Sequence, residues 1–181
     1  IPAVEAVLER MLTAHEPNIA IVIDRHWNLV MANSPALRFT ALLFPEPSPV
    51  AVPPLNLMRL SFHPDGVRRH VVDWELSGSA LLRRLRREVA ASPSDAALRD
   101  LLAEVETYPG VAELEATNRE PTAEDLILPT TYRFGDVDVS LMTILSVIGD
   151  PHDVTLEELR LETFWPVDDA SRAAWESLLE A

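Results

Sequence analysis

The sequence predicts an α+β fold: a five-stranded antiparallel sheet with helices packed on one side and a long helical insert between strands 2 and 3. Three observations carry this. The apolar, β-branched run Ile19 to Ile23 is followed at once by a second short strand pattern. The middle of the chain then shows only helical spacing and turn chemistry. From Leu126 onward a period of two returns, in segments long enough for three more strands.

Taken in order, Val4, Val7, Leu8, Met11 and Leu12 follow helical spacing and predict an amphipathic opening helix ending near His15-Glu16-Pro17. Ile19 to Ile23 reads as a strand buried on both faces. Leu29 to Ala32 forms a hairpin with it across Asp24-Arg25-His26-Trp27. Asn33 or Ser34, before Pro35, starts a helix as its N-cap. Residues 45–54 hold five prolines and predict a stiff, exposed loop.

Asp73 is placed to cap a helix with Trp74, Gly78, Leu81, Leu82, Leu85 and Val89 on one face. Its Arg83 and Arg87 lie opposite, with Arg84 and Arg86 on the flanks, and the run reads as a solvated face. Ser92-Pro93 or Ser94 begins another helix, burying Leu98, Leu101, Leu102 and Val105 and stopping at Tyr108-Pro109-Gly110. Leu126 to Phe134 and Val137 to Ile148 are strands joined by Gly135-Asp136, a type II′ hairpin signal. Beyond Met142 both faces of the second arm are apolar. In the last strand Leu159, Leu161, Thr163 and Trp165 alternate with Arg160 and Glu162. Asp168-Asp169 caps a closing helix carrying Trp175 and Leu178.

The 181 residues suit one domain spanning 1–181, and 48% apolar residues suffice for a sizeable core. A net charge of −14 repels phosphate, so nucleic-acid binding would need residues outside this chain. The absence of cysteine excludes disulfides, thiol catalysis and thiolate-held zinc. All fifteen basic residues are arginine, which removes lysine Schiff-base chemistry. No apolar run is long enough for a membrane span and no signal-peptide pattern opens the chain, so a cytoplasmic domain is expected. The start at Ile1-Pro2 suggests a trimmed fragment.

Chemistry is concentrated between Asn56 and Gly66. Asn56, Arg59 and His63 are three and four apart and would share one helix face. Arg59 could hold a carboxylate through a forked pair of hydrogen bonds, with Leu57, Leu60 and Phe62 as apolar neighbours and Trp74, at the start of the next helix, placed to line a cavity. The same polar side chains could equally cap backbone and bridge helices to the sheet. His63, His70, Asp65 and Asp73 match no metal-site spacing, and Pro64-Asp65-Gly66 is strong turn chemistry; neither a metal nor a cofactor is expected. No G-x-S-x-G elbow occurs, so catalysis is not expected.

Several stretches together resemble the ligand-binding domain of MmyB-like transcription regulators. They are Trp27-Asn28 with Asn33, the segment Asn56 to Gly66, and Asp73-Trp74-Glu75. Leu81 to Glu88, the Tyr108-Pro109-Gly110-Val111 turn and the segment Asp153 to Phe164 complete the set. The resemblance spans nearly the whole chain. It implies a PAS-like domain that binds a lipid-like or fatty-acid-like effector and signals to an XRE-type helix-turn-helix, which is not in this chain. DNA would then be met only through that missing N-terminal domain, a homodimer is expected, and no membrane partner is. The segment 45–54 is longer than the resemblance leads one to expect, which bears on one pocket wall. Asn56, Arg59, His63, Phe62 and Trp74 are the expected ligand contacts. Two other functions fit the same residues: an interaction module with a filled core, and a small hydrolase with a dispersed triad.

Overall fold

The computed structural model describes residues 2–117, 129–148 and 159–180. Five strands form one antiparallel sheet: β1 (Ile19–Ile23), β2 (Leu29–Ala32), β3 (Thr130–Phe134), β4 (Val137–Ile148) and β5 (Leu159–Pro166), in the spatial order β2-β1-β5-β4-β3. Six α-helices accompany it: α1 (Pro2–Ala14), α2 (Ser34–Leu43), α3 (Leu57–Phe62), α4 (Trp74–Ala91), α5 (Ala96–Glu106) and α6 (Asp169–Glu180). The α+β class and the single antiparallel sheet match the sequence pattern.

β1 is buried along its whole length, because alternate residues feed two cores. Ile19, Ile21 and Ile23 join Phe39, Leu82, Leu85, Leu101 and Trp175 beneath α2–α6. Ala20 and Val22 face the other way, onto Leu8 and Leu12 of α1 and Leu161 of β5. The expectation of helices on one side therefore needs a correction: α1 covers the second face. A central strand apolar on both faces requires that cover.

Asn33 is the N-cap of α2, accepting from the Ala36 N–H at 3.0 Å. The same oxygen accepts from the Ala20 N–H at 3.1 Å, and the amide donates to the carbonyls of Leu12 and Asn18. One buried side chain thus joins α1, β1 and α2. Residues 45–54 form no helix or strand. Gly135, at φ +60, turns β3 into β4, the left-handed first position that a type II′ turn needs.

Other boundaries shift. The cap of α5 is Asp95, not Ser92 or Ser94: its carboxylate accepts from the Leu98 N–H at 3.1 Å and also holds Arg25 and His26. Asp73 stands at the N-cap of α4 but its side chain makes no capping bond. The strand expected from Leu126 is described from Thr130; residues 126–128 lie outside the described ones. Past Met142, Ile144 and Val147 are exposed, so apolarity on both faces of β4 does not mean burial there. In β5 it is Glu162 that is buried: the apparently outward row of Arg160 and Glu162 shares the main-core face of the sheet with Ile21.

Candidate ligand site

Asn56, Arg59 and His63 are brought together, though not by sharing one helix. α3 stops at Phe62, so Asn56 is its N-cap and His63 its C-cap. Asn56 accepts from the Met58 and Arg59 N–H groups and donates to the His26 carbonyl (2.8 Å) and to Asn28 Oδ1 (3.0 Å). Arg59 makes a forked contact with Glu104 of α5: Nε lies 2.8 and 2.9 Å from the two carboxylate oxygens, and Nη2 2.8 Å from Oε2. Tyr108 adds a hydroxyl bond to Glu104 at 2.7 Å. The His63 ring packs edge-on to Tyr108, and its Nδ1 accepts from the Asp65 N–H.

These groups perturb each other. The hydrogen bond to Arg59 holds the Glu104 carboxyl below its ordinary range. The same bond raises the Arg59 guanidinium. Burial, helped by the bond to Glu104, pushes the Tyr108 phenol up to about 12. Facing this polar wall across a cleft of roughly 240 Å³ are Pro49, Val50, Val52 and Pro54 of the proline-rich loop.

Phe62 and Trp74 do not line that cleft. Phe62 is fully buried, with its ring edge-on to Trp74 at 5.4 Å. Trp74 opens instead onto a second cleft of roughly 460 Å³, shared with Pro64, Arg68, Arg69, Glu75, Gly110, Glu113 and Leu114. The Arg68 guanidinium lies over the indole and donates to the Pro109 carbonyl; burial holds its pKa below the ordinary value. The two clefts flank the Tyr108-Pro109-Gly110 turn.

A third polar centre, on the inner face of the sheet, has no signature in the residue pattern. Trp27 is 2% exposed and holds φ 67, a left-handed conformation uncommon for a bulky residue. Its indole N–H donates to Glu88 at 2.8 Å, and Arg84 and Arg160 stack on its ring at 4.4 and 5.6 Å. Glu88 also receives Arg84 (3.3 Å) and Arg160 (2.9 Å), while Arg84 reaches Glu162 at 3.6 Å. Arg84 is thus turned inward, correcting the expectation of a wholly solvated arginine face. Periodicity could not show this, because the cluster joins three places distant in sequence: the β1–β2 connection, α4 and β5.

Three further histidines are engaged in hydrogen bonds: His26 with Asp95, His70 with the Leu43 carbonyl, His15 with the Met11 carbonyl. Among the described residues no group of three or more His, Asp or Glu side chains is gathered as a metal site. No described helix is long and apolar enough to cross a membrane.

A sheet in this strand order, walled by helices and edged by polar clefts, is a scaffold on which a small-molecule site can be built. The sequence profile of the MmyB-like transcription regulator ligand binding domain matches residues 4–178, and the chain belongs to that family. No curated protein sequence matches the chain.

Proposed function

We propose that this ligand-binding domain senses a lipid-like or fatty-acid-like amphiphile for a DNA-binding regulator, and that Asn56, Arg59 and His63 form the polar end of its site. One observation supports this most: the α3 cleft sets Arg59, Asn56 and His63 against an apolar wall from the proline-rich loop. A carboxylate would exchange with Glu104 for the Arg59 fork, as one bidentate pair for another. The acyl chain would lie against Val50 and Val52, gaining about 0.8 kcal/mol per buried CH₂. Phe62 supports α3 from behind, and Trp74 lines the neighbouring cleft. Occupancy would shift α3 against α5 and so bias an attached helix-turn-helix.

The test is native mass spectrometry of the domain, with organic extraction of what it releases. A stoichiometric acyl compound is the expected result. An empty protein that also fails to bind decanoate in calorimetry overturns the reading.

A second reading, a dimerising interaction module, is favoured by the exposure of Val7 on α1 and of Ile144 and Trp165 on the face of the sheet that α1 covers. Sedimentation velocity decides it: a dimer unaffected by decanoate, in a protein that binds none, supports this module instead.

A further inference from the structure

The cleft of roughly 460 Å³ beside Trp74 lies outside the acyl site proposed above, and its walls are held in place. Trp74 opens α4, and its indole rests on Gly78 one turn further on, where an added Cβ would come within 2.9 Å of the ring. Phe62 meets the same ring edge-on at 5.4 Å. Ser79 Oγ of α4 reaches the Leu114 carbonyl at 3.2 Å, which ties the 3-10 turn Ala112–Thr117 to that helix. Glu113 and Leu114 of this turn line the cleft with Trp74 and Glu75.

Two arginines line it as well, and they differ in what they hold. Arg69 gives Nη2 to the Leu43 carbonyl at 3.0 Å and Nε to His70 at 3.2 Å, and lies over Phe44, so its work is to pin the turn 67–70. Arg68 stands over Trp74 and gives Nη1 to the Pro109 carbonyl at 2.6 Å, a neutral acceptor. A guanidinium carries five N–H groups, and this bond uses one of them. Burial outweighs the attraction of Asp65 and holds the Arg68 pKa below its ordinary value. Arg59 is the contrast: its fork to Glu104 raises it. A carboxylate brought up to Arg68 would stabilise that cation as Glu104 stabilises Arg59.

Charge narrows the choice of ligand. Glu75 and Glu113 line the same cleft and are exposed. In a chain of net charge −14 they disfavour a lone anion beside Arg68. They favour a molecule that carries a positive group next to its negative one. The apolar part of the lining, Trp74, Leu114 and Pro64, suits a large apolar or aromatic substituent.

We infer that this cleft is a second ligand site, for a zwitterion: an α-amino acid with a large apolar side chain, its carboxylate on Arg68, its ammonium group on Glu75 or Glu113, and its side chain against Trp74 and Leu114. The site lies across the Tyr108-Pro109-Gly110 turn from the α3 cleft and needs no acyl effector there.

Calorimetric titration of the domain with L-phenylalanine, N-acetyl-L-phenylalanine and L-phenylalanine amide tests this. The acetyl compound lacks the ammonium group and the amide lacks the carboxylate, so each should bind about tenfold more weakly than phenylalanine, the loss expected for one hydrogen bond between charged groups. Arg68→Gln should abolish the preference over the amide. The double variant Glu75→Gln/Glu113→Gln should abolish the preference over the acetyl compound; both positions are exposed, so it provides the test should Arg68→Gln not fold. Decanoate affinity, which reads the α3 cleft, is unchanged in the double variant. A wild type that binds no phenylalanine or binds all three compounds alike, or a preference that survives its own substitution, overturns the inference. Decanoate binding in that case leaves the acyl reading standing; if neither decanoate nor phenylalanine binds, both fail.

Discussion

The side-chain amide of Asn56 donates to the main-chain carbonyl of His26 at 2.8 Å, so the residue that starts α3 also fastens it to the β1–β2 hairpin. Asn56 is 4% exposed and uses both ends of its amide. Removing it costs a cap and leaves buried partners unpaired. Asn56→Ala is expected to lower stability by about 2 kcal/mol in urea unfolding. Asn56→Asp keeps the capping oxygen but sets a buried carboxylate oxygen against the His26 carbonyl, so its cost is expected to match or exceed that of Ala. An Asn56→Ala domain as stable as wild type would show that the residue serves ligand alone.

Arg59 behaves differently because its pair with Glu104 is open to solvent, with the Arg59 side chain 47% exposed. Arg59→Ala should cost only about 0–1 kcal/mol of stability. Decanoate affinity should fall by about tenfold. Thermal melting and calorimetry on the same variant separate the two: a large melting shift with unchanged affinity marks Arg59 as structural.

Gly135 offers a clean measurement of backbone strain. A Cβ there would meet no atom within 4 Å, yet φ is +60. Gly135→Ala is therefore expected to destabilise by about 1 kcal/mol through conformation alone. Gly135→Asn should cost less, because asparagine tolerates the left-handed region. Equal unfolding midpoints for Ala and wild type would contradict the turn geometry.

Two carboxyls should titrate in opposite senses. Asp95 is held below its ordinary 3.8 by the Leu98 N–H, then by His26 and Arg25. Its contribution is fully present above the unfolded value and is lost as pH falls through the lower folded one. The stability difference between wild type and Asp95→Asn should therefore shrink in acid. Glu162 is raised above its ordinary 4.5 by burial. It favours the folded state most below the unfolded value, and that advantage is lost as pH rises through the raised folded value. Glu162→Gln should thus gain on wild type as pH climbs from about 4.5. Denaturant curves at several pH values check both signs, and parallel profiles for the two variants would refute them.

Most strands were legible because apolar alternation has a short period and β1 is a continuous β-branched run. The two-residue turn at Gly135 was legible because its backbone demands glycine. The Asn56–Arg59–His63 grouping was legible as a spacing, but the helix ends at Phe62, so two of the three are caps rather than face residues. Asp95 was missed because three capping residues crowd Ser92 to Asp95, and the choice depends on Arg25 and His26, far away in sequence. The burial of Glu162 was not legible, because alternation of charged and apolar residues does not show which row faces the core. Only the arrival of Arg84 from α4 makes its burial tolerable. The sequence pattern carries hydropathy, whereas these choices are made by charge partners brought together in the fold.

The strand order has a consequence for how the chain reaches this state. β1 is an interior strand, yet one of its two neighbours is β5, near the other end of the sequence, with Ile19 opposite Phe164. During synthesis β1 waits with one edge unpaired until nearly the whole chain has emerged, and the loop that must then close is long. Slow final assembly and exposure to strand-edge aggregation follow, so a fragment lacking β5 should collect in aggregates rather than fold in part.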